Sequence, residues 1–141
     1  MKHYIPRWDA IGIKKERYLE LLHFCRQYPD WKTEAASLLG LHGQNMDGMP
    51  HGAHPGDPVA SAAANRARLL RRIQMVEECA AGVGSGEWYA ALIQHICLAR
   101  PYSMLDTAIL PTSDRNSFFR AKKEFFLLLH NMKGGGQNSE V

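Results

Sequence analysis

The sequence predicts an all-α domain of five to six helices that ends in a C-terminal helix-turn-helix. Three observations predict it. Apolar residues recur at three- and four-residue spacing along successive segments. No segment alternates apolar and polar residues for long enough to make a strand. Glycine and proline cluster between the periodic segments, where they act as punctuation. The 141 residues are 45% hydrophobic and 22% charged, which suits a single globular domain with its own core.

Residues 1–11 read as an irregular arm around Pro6. From Lys14 a helical pattern starts, with Tyr18, Leu21, Leu22 and Cys25 on one stripe and Glu16, Arg17 and Glu20 between them. Pro29 should stop it, because residues before proline avoid helical angles. A second helix restarts with Asp30 as N-cap. Its stripe is Trp31, Ala35 and Leu38, and Gly40 is its expected stop. Residues 1–40 thus form an N-terminal helical segment.

Residues 41–58 hold four glycines and three prolines without periodicity, the composition of a flexible linker. Asp57 and Pro58 then pair an N-cap with a proline at the first helical position. The next helix runs from about Val59 to Ala81, with Ala62, Leu69, Ile73, Val76 and Ala80 on one side. "GVGSG" breaks it. Ser85 can cap a helix through Ala99 whose face is Trp88, Leu92, Ile96 and Ala99. After Pro101, "YSMLDTAI" fits a short helix over 102–109, followed by a turn with Thr112 or Ser113 as cap. A final helix covers about 114–131, so the helical domain is 59–131 and its helix-turn-helix 102–131. Residues 132–141 read as a frayed, glycine-rich tail.

On a helical wheel of 100° per residue, Phe118, Ala121, Phe125, Phe126, Leu128 and Leu129 share one arc, with Phe119 at its edge. Asn116, Arg120, Lys123, Leu127 and His130 lie opposite. Lys122 falls inside the apolar arc and must snorkel or reach a partner. A short helix, a four-residue turn and a longer helix is helix-turn-helix spacing. In that motif the N-terminal residues of the second helix meet base edges in the major groove. Here they are Arg115, Asn116, Ser117 and Arg120. Arginine suits guanine bidentately and asparagine suits adenine. Hydroxyls such as those of Thr112 and Ser113 suit phosphates, and on a DNA-binding reading Lys122 and Lys123 supply further phosphate contacts. The same pattern also describes a plain amphipathic terminal helix with solvated charges.

The stretch "RNSFFRAKKEFFLLL" resembles the C-terminal helix of the RinA/ArpU-type phage and prophage late-transcription regulators. The residues that carry the likeness are Pro111, Arg115, Asn116, Ser117, Phe118, Phe119, Lys122, Lys123, Phe125 and Phe126. "YLELLHFCRQYPDWK", Tyr18 to Lys32, resembles the N-terminal signature of the same group. Between them, residues 57–80 resemble its connecting helix. The resemblance implies a helix-turn-helix similar to sigma factor region 4 and a sequence-specific DNA-binding regulator in a bacterium carrying prophage. It also implies recognition roles for Arg115, Asn116, Ser117, Arg120 and Lys123. At Ala121, Lys122 and Lys123 the family pattern carries a denser arginine run.

A formal charge of +3 permits an anionic partner without demanding one. Arg66, Arg68, Arg71 and Arg72 are the densest basic cluster. They read either as phosphate contacts or as a solvated helix face paired with Glu77 and Glu78. His42, His51, His54, Met46 and Met49 sit in the linker, where no rigid second shell would hold a metal. His23 with Cys25 and His95 with Cys97 could suggest zinc. In a helix, however, i and i+2 point about 200° apart, so the cysteines read as core residues. No phosphate loop, carboxylate pair or catalytic triad appears. We therefore expect no enzyme, no metal and no cofactor.

The expected setting is the bacterial cytoplasm. Three cysteines lack framework spacing, no secretory signal is visible and no run could span a membrane. The expected partner is double-stranded DNA, with a homodimer suited to paired half-sites although no heptad seam is present. The alternative is a non-enzymatic protein–protein adaptor, acting on RNA polymerase or a phage packaging complex without specific DNA binding.

Overall fold

A computed structural model describes residues 12–44 and 58–134, with side chains for 12–38 and 59–134. Among the described residues the chain is helical and contains no strand. Helix α1 spans Lys15–Arg26, α2 Tyr28–Gln44, α3 Pro58–Ala81, α4 Tyr89–Leu92 and α5 Arg115–Met132. The arm 1–11, the tail beyond 134, Asp57 and the linker's Met46, Met49, His51 and His54 lie outside the described residues, as does the side chain of His42.

Several helix ends differ from expectation, each for a local reason. Pro29 does end α1, but it sits at the second position of α2, where its missing N–H would be unpaired anyway. Gln27 alone separates the two helices, and its carbonyl accepts from Trp31 N–H at 2.9 Å. Asp30 is therefore in the first turn of α2 and not its cap, where its charge still complements the helix dipole. Gly40 does not stop α2, which continues through Gln44.

The break after α3 uses Gly84 and Gly86, both at positive φ (59° and 91°). Ser85 caps nothing here. Its N–H and hydroxyl both donate to the Glu87 carboxylate, at 2.8 and 3.0 Å. α4 therefore begins three residues beyond Gly86, and it is followed by a widened turn over Ile93–Cys97. There Leu98 N–H donates to Ile93 O at 3.1 Å and Arg100 N–H to Gln94 O at 3.0 Å. Ala99 closes the turn at φ 59°, a left-handed conformation that costs an L-residue about 1–2 kcal/mol.

α2 packs along α3, and α5 lies against α1, α3 and α4. The core they share includes Leu21, Trp31, Ile73, Val76, Leu92 and Ile96. α5 contributes Phe118, Ala121, Phe125, Phe126 and Leu129, all buried. These are five of the six residues on the predicted arc, and the sixth, Leu128, is half-buried. Aromatic edges tie α5 down. Phe118 meets Trp88 at 6.0 Å between ring centroids and Tyr102 at 5.0 Å, and Phe126 meets Tyr18 at 5.0 Å.

Cys25 and Cys97 face one another inside the core. The Cys25 thiol donates a hydrogen bond to the Cys97 sulfur, and this bond together with burial holds the Cys25 thiol well above the usual range. Both are inert interior groups. Among the described residues no cluster of His, Cys, Asp or Glu could hold a metal, and no helix is long and apolar enough to cross a membrane.

Candidate nucleic-acid interface

The segment before α5 departs from the expected short helix. Residues 102–104 and 107–109 each make a single 3-10 turn, and Leu105 and Asp106 between them are extended. Leu105 is buried as an anchor. The Asp106 carboxylate accepts from Ala108 N–H at 3.0 Å. That local bond competes with helical pairing. The strap 102–114 thus stands where the sequence placed a helix and a turn.

Neither Thr112 nor Ser113 caps α5. The cap is Asp114, whose carboxylate accepts from Asn116 N–H at 3.3 Å and from Ser117 Oγ at 2.7 Å. Aspartate is a strong N-cap because its oxygens satisfy otherwise unpaired N–H groups. These bonds, the Ser117 hydroxyl first, hold its pKa below the ordinary value. Thr112 Oγ1 accepts from Asp114 N–H at 3.2 Å and so positions the cap. Ser113 is exposed in the strap.

α5 has two flanks of opposite character. Arg120 donates to Ser117 Oγ at 3.0 Å and lies 4.0 Å from Asp114. It lines a cleft of about 440 Å³ with Glu87, Glu124, Pro111, Thr112 and Ser117. Carboxylates surround this flank. On the other flank, the Arg115 guanidinium sits 5.1 Å from the centroids of both Tyr102 and Phe119. Asn116 is exposed and Lys123 half-exposed between the flanks.

Lys122, inside the apolar arc, reaches a partner. Its Nζ lies 3.0 Å from His95 Nε2 and 5.5 Å from the Phe119 centroid. His95 Nδ1 lies 2.9 Å from Arg100 O. A carbonyl only accepts, so Nδ1 carries the proton and Nε2 is free to accept from the ammonium. Burial and then the Lys122 charge push His95 down to about 4, and burial and then Arg26 push Lys122 down to about 8. Arg26 donates from Nε to Ile96 O at 2.7 Å, which satisfies a carbonyl at the end of the widened turn. Sequence reasoning weighs His95 as a metal ligand or as half of a Cys–His nucleophile pair, and names Arg26 only within the N-terminal signature. The usable signal was Lys122 itself, since a lysine on an apolar arc needs an acceptor nearby.

The arginines of α3 are not paired with Glu77 and Glu78. Glu77 accepts from Tyr28 and approaches Lys32, and Glu78 accepts from Gln74. Arg68 donates to Asn65, Arg66 to Ala35 O, and Arg72 lies over Trp31. Arg71 is exposed. Burial and then Arg17 lower the Lys133 pKa, and the Arg72 charge adds to this from nearby. Lys133 follows the last turn of α5, about 27 Å along the helix from Arg115 at 1.5 Å per residue. The structure therefore does not join Arg68, Arg71 and Arg72 to the N-terminal edge of α5 as one patch.

No protein family, curated protein or solved structure matches this chain.

Proposed function

We propose that the chain is a DNA-binding transcriptional regulator whose α5 acts as the recognition helix of a helix-turn-helix-like unit. One observation carries the reading. The N-terminal half of α5 is fixed to the core by Phe118 and Ala121, with Phe125 just beyond it, while Arg115, Asn116 and Arg120 stand exposed on its outer side. A helix held rigidly from behind, with amide and guanidinium groups in front, has what major-groove readout needs. Asn116 and Arg120 would read bases, with Ser117 orienting Arg120. Arg115, on the flank free of carboxylates, and Lys123, between the flanks, would meet phosphates. The RinA/ArpU resemblance supports the same assignment, and the strap 102–114 would steady the helix where that family's first helix stands.

The test is selection of binding sites from a random duplex pool by the wild-type chain, repeated with Asn116→Ala and Arg120→Ala. Each bidentate contact supplies about 1–3 kcal/mol of base discrimination. Each variant should therefore lose about 5- to 150-fold in preference for the selected sequence while melting like the wild type. Wild-type selectivity in both would remove α5 as the reading element.

Exposed apolar residues in the segment 98–104 favour a second reading as a protein–protein adaptor. Met104 is 68% exposed and Leu98 44% exposed, and such residues suit a partner such as RNA polymerase or a packaging complex. An adaptor of this kind would show no specific duplex binding, and Met104→Ser would disrupt its complex.

A further inference from the structure

Four groups from three parts of the chain converge beside the start of α5. Arg26 comes from the last turn of α1, His95 from the widened turn after α4, and Arg115 and Lys122 from α5. Arg115 and Lys122 are seven residues apart and so share a face. Both cations lie within 5.5 Å of the Phe119 centroid. The charges of Arg26, Arg115 and Lys122 all act on His95, and Arg26 also acts on Lys122. Among the described residues no carboxylate forms an ion pair with any of the four.

Structural duties account for only part of their hydrogen-bonding capacity. Arg26 spends Nε on Ile96 O, and its two terminal nitrogens meet no acceptor among the described residues. Lys122 uses one of three donors on His95. Arg115 rests on aromatic faces and has no hydrogen-bond acceptor among the described residues. Guanidinium and ammonium groups carry five and three donors respectively. Like charges gathered at a partly buried point repel one another. An anion placed among them would relieve that repulsion and satisfy the idle donors together. Tetrahedral oxyanions match guanidinium forks and a point ammonium.

We infer that Arg26, Arg115 and Lys122, gathered around His95, form a binding site for a phosphoryl group. Lys122 is its central donor. The Arg115 and Arg26 guanidinium groups close it from α5 and α1. His95 is the positioning residue: its Nδ1–H bond to Arg100 O fixes the ring, and Nε2 holds the Lys122 ammonium in place. The phosphoryl group has two sources, free inorganic phosphate or the phosphodiester of a nucleic-acid backbone. The inference rests on the DNA reading only for the second source.

The test follows the His95 ring resonances by NMR in the full chain during titration with inorganic phosphate and, separately, with a short duplex of random sequence. Chloride of equal ionic strength is the control. Phosphate should shift the His95 signals saturably and raise the pH at which the ring titrates. Lys122→Met and Arg115→Gln should each weaken this response about 10-fold or more. Lys32→Met, on α2 and outside the site, should leave it unchanged. Arg115 is exposed, so its variant keeps the test valid if Lys122→Met fails to fold. Competition between duplex and phosphate, with a salt slope reduced by about 1 in Lys122→Met, identifies the backbone as source. A phosphate response that duplex does not compete identifies the free ion, and the site then stands even if the DNA reading falls. Duplex binding with no phosphate response and an unchanged slope in Lys122→Met would overturn the site and leave the DNA reading intact. No response to either ligand would overturn the site as well.

Discussion

Phe118→Ala is expected to remove about 3–5 kcal/mol of stability. Phe118 is fully buried, and its ring meets those of Trp88, Tyr102, His95 and Phe119. Truncation leaves a cavity under the first turns of α5 and removes edge contacts worth about 0.5–1.5 kcal/mol per aromatic pair beyond burial. Domains of this kind have only about 5–15 kcal/mol in total, so the variant should stand near its unfolding threshold. Urea denaturation followed by circular dichroism reads this as a lowered midpoint with an unchanged slope. Phe119→Ala is the comparison. Phe119 is half-buried at the edge of the arc, so its cost should be clearly smaller. Equal losses would mean that α5 is not seated through the face containing Phe118.

Stability should also fall as pH drops from about 6.5, well before the carboxylates titrate. His95 has a folded pKa of about 4 against an ordinary 6.5. The folded state therefore refuses a proton that the unfolded chain accepts. The resulting stability is fully present above pH 6.5 and drains away as pH falls through 6.5 towards 4. The separation corresponds to about 3 kcal/mol. The charged groups facing the ring are Lys122, Arg26 and Arg115, all cationic, and only the hydrogen bond to Arg100 O works the other way. His130 is lowered too, by burial and then by Arg17, which donates to its Nδ1 at 3.0 Å. The acid slope must therefore be assigned by substitution. His95→Gln keeps an acceptor for Lys122 and does not titrate. Melting temperatures between pH 7 and pH 5 should fall steeply in the wild type and much less in His95→Gln. Parallel slopes would show that His95 is not held neutral.

Much of this was legible because it depends on residues close in sequence. The spacing of Phe118, Phe125 and Leu129 placed the buried face of α5, and the expected helix over Val59–Ala81 is the observed α3 within one residue. The helix ends were less legible. They depend on which side chain wins a local hydrogen bond, as Asp114 does over Thr112 and Ser113, and Asp106 does against a helix over 102–109. The widened turn before Ala99 has no glycine to announce it, since an alanine takes the left-handed position.

The electrostatics of the site were the least legible. Lys122 and His95 are 27 residues apart and Arg26 and Ile96 are 70 apart, so only packing brings them together. The wheel correctly marked Lys122 as anomalous but could not show what it touches. It also placed Arg120 and Lys123 on one basic edge, without showing the carboxylates of Glu87 and Asp114 beside Arg120.

The central claim, that the outer side of α5 binds DNA, is tested most directly by the affinity of the full chain for random duplex DNA at two salt concentrations, about 50 and 200 mM. The account predicts measurable binding at the lower salt and a steep fall at the higher. The logarithmic slope should be about −0.9 for each phosphate contacted, and Arg115→Gln should flatten it. An absence of binding at low salt would contradict the account and favour the adaptor. Binding indifferent to salt would contradict it equally, because contacts by Arg115 and Lys123 must release counterions.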